Sequence, residues 1–449
     1  MYFLSFFGAF SPSTFLPIYK HNPRRIMAKS RSTQQLETIE KTVSYAADQG
    51  IIHLLVEDQV ANGRTVQIKG KELVNFGSCS YLGIELHPRI KAGAIDAVHR
   101  YGSQFASSRA YLSAALYGEA EELLQQIFPH PLILAPSLTL GHLSNLPVLI
   151  EDEDAVIMDH QVHASLGMAM HQLRSRGVKI EMIRHSHIGM LENRIRKLKD
   201  THRKIWYLAD GIYSMFGDFA PLDELKVLLD TYEQFHLYID DAHGSGWMGE
   251  KGCGSVFSRL PYHPRMYVTA SLAKSFATAG GVLIYPDEAS RRKVRVCGGT
   301  LIFSGPIQPP LLGAAIASLR LHLSDELPPL QAALRERIAY FNLQAEEKGI
   351  PLFSESKAPV GFISVGTPAV GYNMVRRLMR LGFYTNLAVY PSVPYKNTGL
   401  RLAINNHLRF EDIDRLLDHI AAELPLALAE ENYSIEEVYK AFNHQLERV

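Results

Sequence analysis

"HLYIDDAHGSG", His236–Gly246, decides the fold. A run of apolar and β-branched residues stops abruptly in two aspartates, a histidine and a glycine-spaced turn. An apolar run of this length reads as a strand buried on both faces. The polar cluster at its end reads as the carboxyl edge of such a strand, where open α/β sheets bind their ligands.

Further runs of the same kind lie on both sides: "HPLILAPS", "DAVIMDH", "KIEMIRH", "KIWYLADG", "MYVTAS" and "GGVLIYP". Helical patterns such as "GMLENRIRKLKDTH" and "LDELKVLLDTYEQF" separate most of them. Strands alternating with helical crossovers imply a large, mostly parallel sheet with helices on both faces. Beyond about residue 320 the pattern changes. A helix ("PLQAALRERIAYFNLQAEEKG"), a strand ("VGFISVG"), a helix ending at Gly382, a strand ("LRLAINN") and a last helix form a small α+β domain. Residues 33–75 read as a helix followed by a hairpin around Asn62-Gly63. The expected organisation is a tail over 1–32, helix and hairpin over 33–75, a large domain over 76–320 and a small domain over 321–449.

Composition excludes several classes. The 449 residues carry 46 basic and 46 acidic side chains, so no basic surface for nucleic acid is expected. Cys79, Cys253 and Cys297 are far apart, which argues against structural zinc or a disulfide framework and fits a reducing, cytoplasmic setting. No metal site is expected. The first 30 residues are apolar but broken by Pro12 and Pro17, with no basic residue before Lys20. They are too short and interrupted to span a membrane, so membrane contact is expected only through this tail.

The strand ends carry the chemistry. "KIWYLA" ends in Asp210, "HLYI" in Asp240, "DAVIM" leads to His160 and His163, and "MYVTAS" stops just before Lys274. Lys274 lies among small and apolar residues in "TASLAKSFATAGG". Desolvation lowers a lysine's pKa, as a lysine forming an imine with an aldehyde requires. A pyridine ring acting as electron sink needs a carboxylate at its nitrogen, and Asp240 suits that part. Imidazole can stack on such a ring, and hydroxyls with backbone N–H groups can hold a phosphate. Pyridoxal 5'-phosphate meets these demands together. Taken singly, each residue has a plainer structural reading; their joint placement at strand ends favours one site.

From about residue 70 to 420 the motifs resemble those of the α-oxoamine synthases, fold-type-I pyridoxal phosphate enzymes that join an amino acid to an acyl thioester. "DDAHGSG" is the most specific match and implies Asp240 as the pyridinium partner and His243 beside the ring hydroxyl. "DHQVHASL" implies His163 as the stacking residue, and "DGIYSMFGDFAPL" places Asp210 and Ser214 near the cofactor. "TASLAKSF" implies Lys274 as the imine lysine and Ser271 as a phosphate ligand. The phosphate turn reads Thr139-Leu140-Gly141-His142, with Gly141 and His142 as cofactor contacts. "IFSGPIQPP" implies that Ser304 reaches the phosphate of a neighbouring subunit, hence a homodimer with shared active sites. "GLRLAINNHLRFEDIDRLL" places Arg401 on the substrate carboxylate, and "SYLGIELHP" puts Ser80 and Tyr81 by the substrate.

"TASLAKSFA" and "DGIYS" look closest to the autoinducer-synthase branch, and "DDAHGSGWMGEKGCGS" to the 8-amino-7-oxononanoate synthases. The chain departs from the family at Cys79, where an asparagine is usual, and at His185-Ser186-His187, where His-Asn-Asp is usual. The implied activity is condensation of an amino acid with an acyl-CoA or acyl-carrier thioester, with decarboxylation, to an α-aminoketone. An aminotransferase or carbon–carbon lyase using the same Lys274 and Asp240, and a non-catalytic regulatory subunit, remain open at this point.

Overall fold

The computed structural model describes residues 31–442; the expected tail, residues 1–32, falls almost wholly outside the described residues. Its last two positions already belong to the helix Arg31–Asp48.

Thirteen strands follow: β1 (Thr65–Ile68), β2 (Lys71–Asn75), β3 (Leu132–Ala135), β4 (Ala155–Asp159), β5 (Lys179–Ile183), β6 (Ile205–Asp210), β7 (Phe235–Asp240), β8 (Met266–Ser271), β9 (Gly281–Ile284), β10 (Val360–Gly366), β11 (Phe383–Tyr384), β12 (Asn386–Ala388) and β13 (Thr398–Ala403). Seven form one sheet in the order β3-β9-β8-β7-β6-β4-β5. The pairs β5-β4-β6-β7-β8 are parallel, and β9 runs antiparallel to both of its neighbours. All seven strands read from the sequence are present. Every residue of β6, β7 and β8 is buried, which explains why these runs do not alternate with polar residues.

β4, β6, β7 and β8 all point the same way, and they end in Asp159, Asp210, Asp240 and Ser271. Four polar residues therefore share one edge of an otherwise apolar sheet. Side chains alternate across a strand and its continuation. Asp241 accordingly turns away from Asp240, to accept from the Ser255 hydroxyl at 2.5 Å and the Val256 N–H at 3.1 Å. Burial pushes its carboxyl up to about 7.

The hairpin lies elsewhere than the sequence suggested. Its turn is Lys69-Gly70, not Asn62-Gly63: Ile68 pairs with Lys71, and both turn residues have positive φ, 52° and 70°. This is the geometry that matches strand twist in a two-residue turn. Asn62 instead accepts the N–H groups of Arg64 and Thr65 through its side chain, an Asx turn leading into β1. The hairpin joins the chain's other end, since β2 pairs in parallel with β11. The third sheet, β10-β13-β12, carries Arg401 at its centre, opposite Phe362 and Asn386.

Candidate active site

A cavity of about 250 Å³ opens at the carboxyl edge of β6, β7 and β8. His163, Asp210, Asp240, His243, Ser271 and Lys274 all line it. These residues span 112 positions of sequence, 163 to 274, and the parallel sheet brings them together.

One end of the cavity is a helix N-terminus. Ser137 caps the helix Leu138–Leu149 by accepting the Leu140 N–H at 3.2 Å. The first-turn N–H groups of Leu138 and Thr139 have no intrahelical acceptor, and both residues line the cavity with Ser137. A helix N-terminus with free N–H groups is an anion site, and Ser271 stands beside it. The close fit here depends on Gly281: a Cβ there would lie 2.5 Å from Leu138 Cα and 2.7 Å from Leu138 N.

The titratable groups are sorted by their neighbours. Burial lowers the Lys274 ammonium below its ordinary range, against the opposing pull of Asp240. Asp240 accepts from Ala242 N–H at 3.0 Å and from His142 at 3.0 Å. Burial opposes its ionisation, but the His142 hydrogen bond and the nearby Lys274 hold its carboxyl below the usual range. Asp210 is pushed well above that range by burial and by Asp240 beside it. Two adjacent carboxyls with opposed shifts assign the anion to Asp240. His243 is kept neutral by burial and by Lys274, and its Nδ1 meets the Tyr81 hydroxyl at 2.7 Å. His163 caps the helix Ala164–Ser175, its Nδ1 lies 2.7 Å from Ser165 Oγ, and its N–H donates to Asp210 at 3.2 Å.

His163 is also part of the wall of an adjoining hollow of about 460 Å³. Ser214, Met215, Phe216 and the loop Tyr390–Pro394 line that hollow. Arg401 donates from Nε to the Ser214 carbonyl at 2.6 Å, and its other arm lies 3.6 Å from Cys79 Sγ. The Cys79 thiol thus stands against Arg401. Burial would raise this thiol, but Arg401, Tyr81 and Lys274 draw it below its ordinary value.

Three of the expected contacts lie elsewhere. Gly141 sits a turn inside its helix, against Leu283 and Ala135, because the cradle begins earlier, at Ser137. His142 is fully buried behind Asp240 and does not line the cavity. The Ser80 hydroxyl donates to Glu85. Ser304, expected to serve a neighbouring subunit, bonds the Thr300 carbonyl and borders a separate surface hollow with residues 104–108. The sequence reading missed Ser137 and Leu138, and named Thr139 only as the start of the phosphate turn. A serine between a buried strand and a helical pattern was the available signal. At the departure His185-Ser186-His187, His185 bridges Asp159 and Asp218, while His187 caps the helix Ile188–Leu198.

The donor set accommodates pyridoxal phosphate: N–H groups and hydroxyls at one end, an ionised carboxylate held from behind, and a desolvated lysine between.

The family model for class I and II aminotransferases matches residues 71–420. The chain is 26% identical over 395 residues to an 8-amino-7-oxononanoate synthase of Thermoanaerobacter pseudethanolicus, covering 86% of this chain and 96% of that protein. It is 29% identical over 377 residues to the 8-amino-7-oxononanoate synthase of Maricaulis maris, covering 84% and 93%. A serine palmitoyltransferase from S. paucimobilis, solved with PLP bound, superimposes with a TM-score of 0.80 at 22% identity, over 90% of this chain and 100% of that one. That likeness shows a shared fold.

Proposed function

The chain belongs to the class I and II aminotransferase family, and on that premise we propose that it is a pyridoxal phosphate-dependent acyltransferase of the α-oxoamine synthase kind. It joins the α-carbon of an amino acid to the acyl group of a CoA or carrier thioester, and releases the thiol and carbon dioxide to leave an α-aminoketone. One observation carries the reading. Lys274, Asp240, His163 and His243 line a single cavity whose far end is an anion-binding helix terminus. The named activities of the relatives support the choice of reaction.

When bound, pyridoxal phosphate would supply an electron sink for the substrate's α-carbon. The residues prepare it for that work. Leu138 and Thr139 N–H groups with Ser271 hold the phosphate. Asp240 holds the proton of the pyridine nitrogen. His163 would stack against the ring, and His243, fixed by Tyr81, would bond its hydroxyl oxygen. Arg401 pairs with the substrate carboxylate through two parallel hydrogen bonds. Lys274, largely desolvated, is the base at the α-carbon. The hollow beyond His163, with Val162, Met215, Phe216 and Val393, offers apolar wall for the acyl chain.

A homodimer completes this reading. Phe303, next to Ser304, is 89% exposed, and Tyr111, near the same hollow, is 85% exposed. Two large exposed side chains beside a hydroxyl expected to serve a neighbour suit a buried interface. Among the described residues no helix is long and apolar enough to cross a membrane.

The test is mass spectrometry of the products from a panel of amino acids with acyl-CoA thioesters. Thiol and carbon dioxide release in step with an α-aminoketone supports the synthase. A keto acid from the amino donor identifies a transaminase, and a wild-type protein that takes up no cofactor identifies a regulatory subunit.

A further inference from the structure

We propose that His142 is a positioning residue that holds Asp240 anionic by donating to it as a neutral imidazole, from the same helix that cradles the phosphate. The inference rests on the cofactor assignment above and deepens it.

His142 is completely buried, so both ring nitrogens need partners inside the protein. Nε2 lies 3.0 Å from Asp240 Oδ2, and Nδ1 lies 2.8 Å from the Tyr238 hydroxyl. The tautomer follows from the groups behind it. The Tyr285 hydroxyl donates to Asn145 Oδ1 at 2.9 Å, which turns the Asn145 amide NH₂ onto the Tyr238 oxygen at 3.2 Å. The Tyr238 oxygen therefore accepts, and its own proton goes to His142 Nδ1. Burial raises the Tyr238 hydroxyl above its ordinary value, so it keeps that proton to donate. The single N–H of His142 then sits on Nε2 and points at Asp240.

Every donor in the row Tyr285, Asn145, Tyr238, His142 faces the carboxylate. A row oriented this way supports an anion with no formal cation behind it, and it satisfies each buried polar group along it. The charged and titratable groups facing the pair from other elements are Lys274, His163 and Asp210, all on the cavity side. Asp240 Oδ1 takes the Ala242 N–H and Oδ2 takes His142. What remains of its acceptor capacity is directed to the cavity it lines. There is also a geometric consequence. Ser137 caps the helix and His142 lies five residues on, so one rigid element sets both the phosphate cradle and the partner of the ring nitrogen.

The experiment uses the full-length holoprotein as wild type, His142→Phe, His142→Gln and Tyr238→Phe. Absorbance of the lysine–cofactor chromophore is titrated with pH, and cofactor dissociation is measured by dialysis. Circular dichroism checks the fold of each variant. Without its donor, Asp240 takes the ring nitrogen's proton; the ring withdraws less, and the imine nitrogen becomes more basic. His142→Phe should raise the chromophore pKa by about one unit and weaken cofactor binding about tenfold. Tyr238→Phe, which removes one oxygen, should move the pKa the same way by less. Glutamine has an N–H to donate and a carbonyl to accept, so His142→Gln should titrate close to wild type. If folded His142→Phe or Tyr238→Phe titrates as wild type, the proposal is overturned. It is equally overturned if His142→Gln behaves like His142→Phe, since the group required would then be a cation. Should His142→Phe fail to fold, Tyr238→Phe decides. A wild type with no chromophore would sink the cofactor assignment itself, a result distinct from either.

Discussion

Arg401 donates its Nε proton to the backbone carbonyl of Ser214 across 2.6 Å. The bond joins the centre of the small carboxyl-terminal sheet to the turn after β6. It fixes one side of the guanidinium, and Nη2 reaches Cys79 Sγ at 3.6 Å.

Arg401→Lys keeps the charge and loses the planar fork. We expect KM for the amino acid to rise about 10- to 100-fold, with a smaller change in kcat, because the carboxylate contact is made before and during the reaction. Steady-state kinetics with the acyl thioester saturating checks this. An unchanged KM would remove Arg401 from the carboxylate.

Lys274→Ala should abolish the near-visible absorbance of the cofactor–lysine adduct. Borohydride reduction should then add no cofactor mass to the peptide bearing residue 274. In the wild type, burial lowers the lysine's pKa, so its reactivity toward an amine reagent, measured in cofactor-free protein, should reach its midpoint below that of free lysine. A chromophore that survives the substitution would refute the assignment.

His185 lies between Asp159 at 3.1 Å and Asp218 at 2.5 Å. Burial alone would lower its pKa, but the two carboxylates overcome this and raise it to about 9. A raised folded-state pKa means the stabilisation is complete below the unfolded value near 6.5 and is lost as pH climbs to about 9. Asp159 is shifted down by His185 and the Ser186 N–H in spite of burial, so its own share disappears in acid. The full contribution is therefore confined between these limits. Denaturant titrations should show wild type losing about 1–3 kcal/mol relative to His185→Gln between pH 6.5 and 9. Parallel curves for the two proteins would count against the bridge.

Gly281→Ala puts a methyl group against Leu138 backbone, at 2.5 Å from Cα. Backbone cannot rotate away, so we expect about 1–3 kcal/mol of destabilisation and weaker cofactor retention. Gly118→Ala is the control: it lies in the helix Ala115–Ile127 with nothing within 4 Å of the added Cβ. Helix propensity predicts a gain of up to about 1 kcal/mol there. Thermal melts and equilibrium dialysis compare the two.

The strands were legible because burial on both faces leaves an unbroken apolar run, and because each run of the parallel core ends where the ligand edge begins. Asp210 and Asp240 were found that way, as the last residues of β6 and β7; Ser271, the last residue of β8, came from the family resemblance. The hairpin was misplaced because Asn62-Gly63 is a good turn pair locally. The pairing of β2 with β11, 308 positions or more along the chain, is not a local property. The phosphate cradle was set several residues too late for a similar reason. Gly141 has the composition of a phosphate turn, but the helix starts at Ser137, and only the closeness of Gly281 marks that end as the cavity wall.

Sequence alone determined which residue types stand at the strand ends, and so that a lysine, a buried acid and two histidines would meet at one edge. Strand direction and a two-residue side-chain period are local rules, and they suffice for that. Tertiary structure alone decided the state of each group. Asp240 and Asp210 are the same residue type at the same edge, yet one carboxyl is drawn below the usual range and the other is pushed well above it. The difference comes from His142 and from burial. Neither is encoded near them in the chain, because a charge in a low-dielectric interior is governed by whatever folding packs against it.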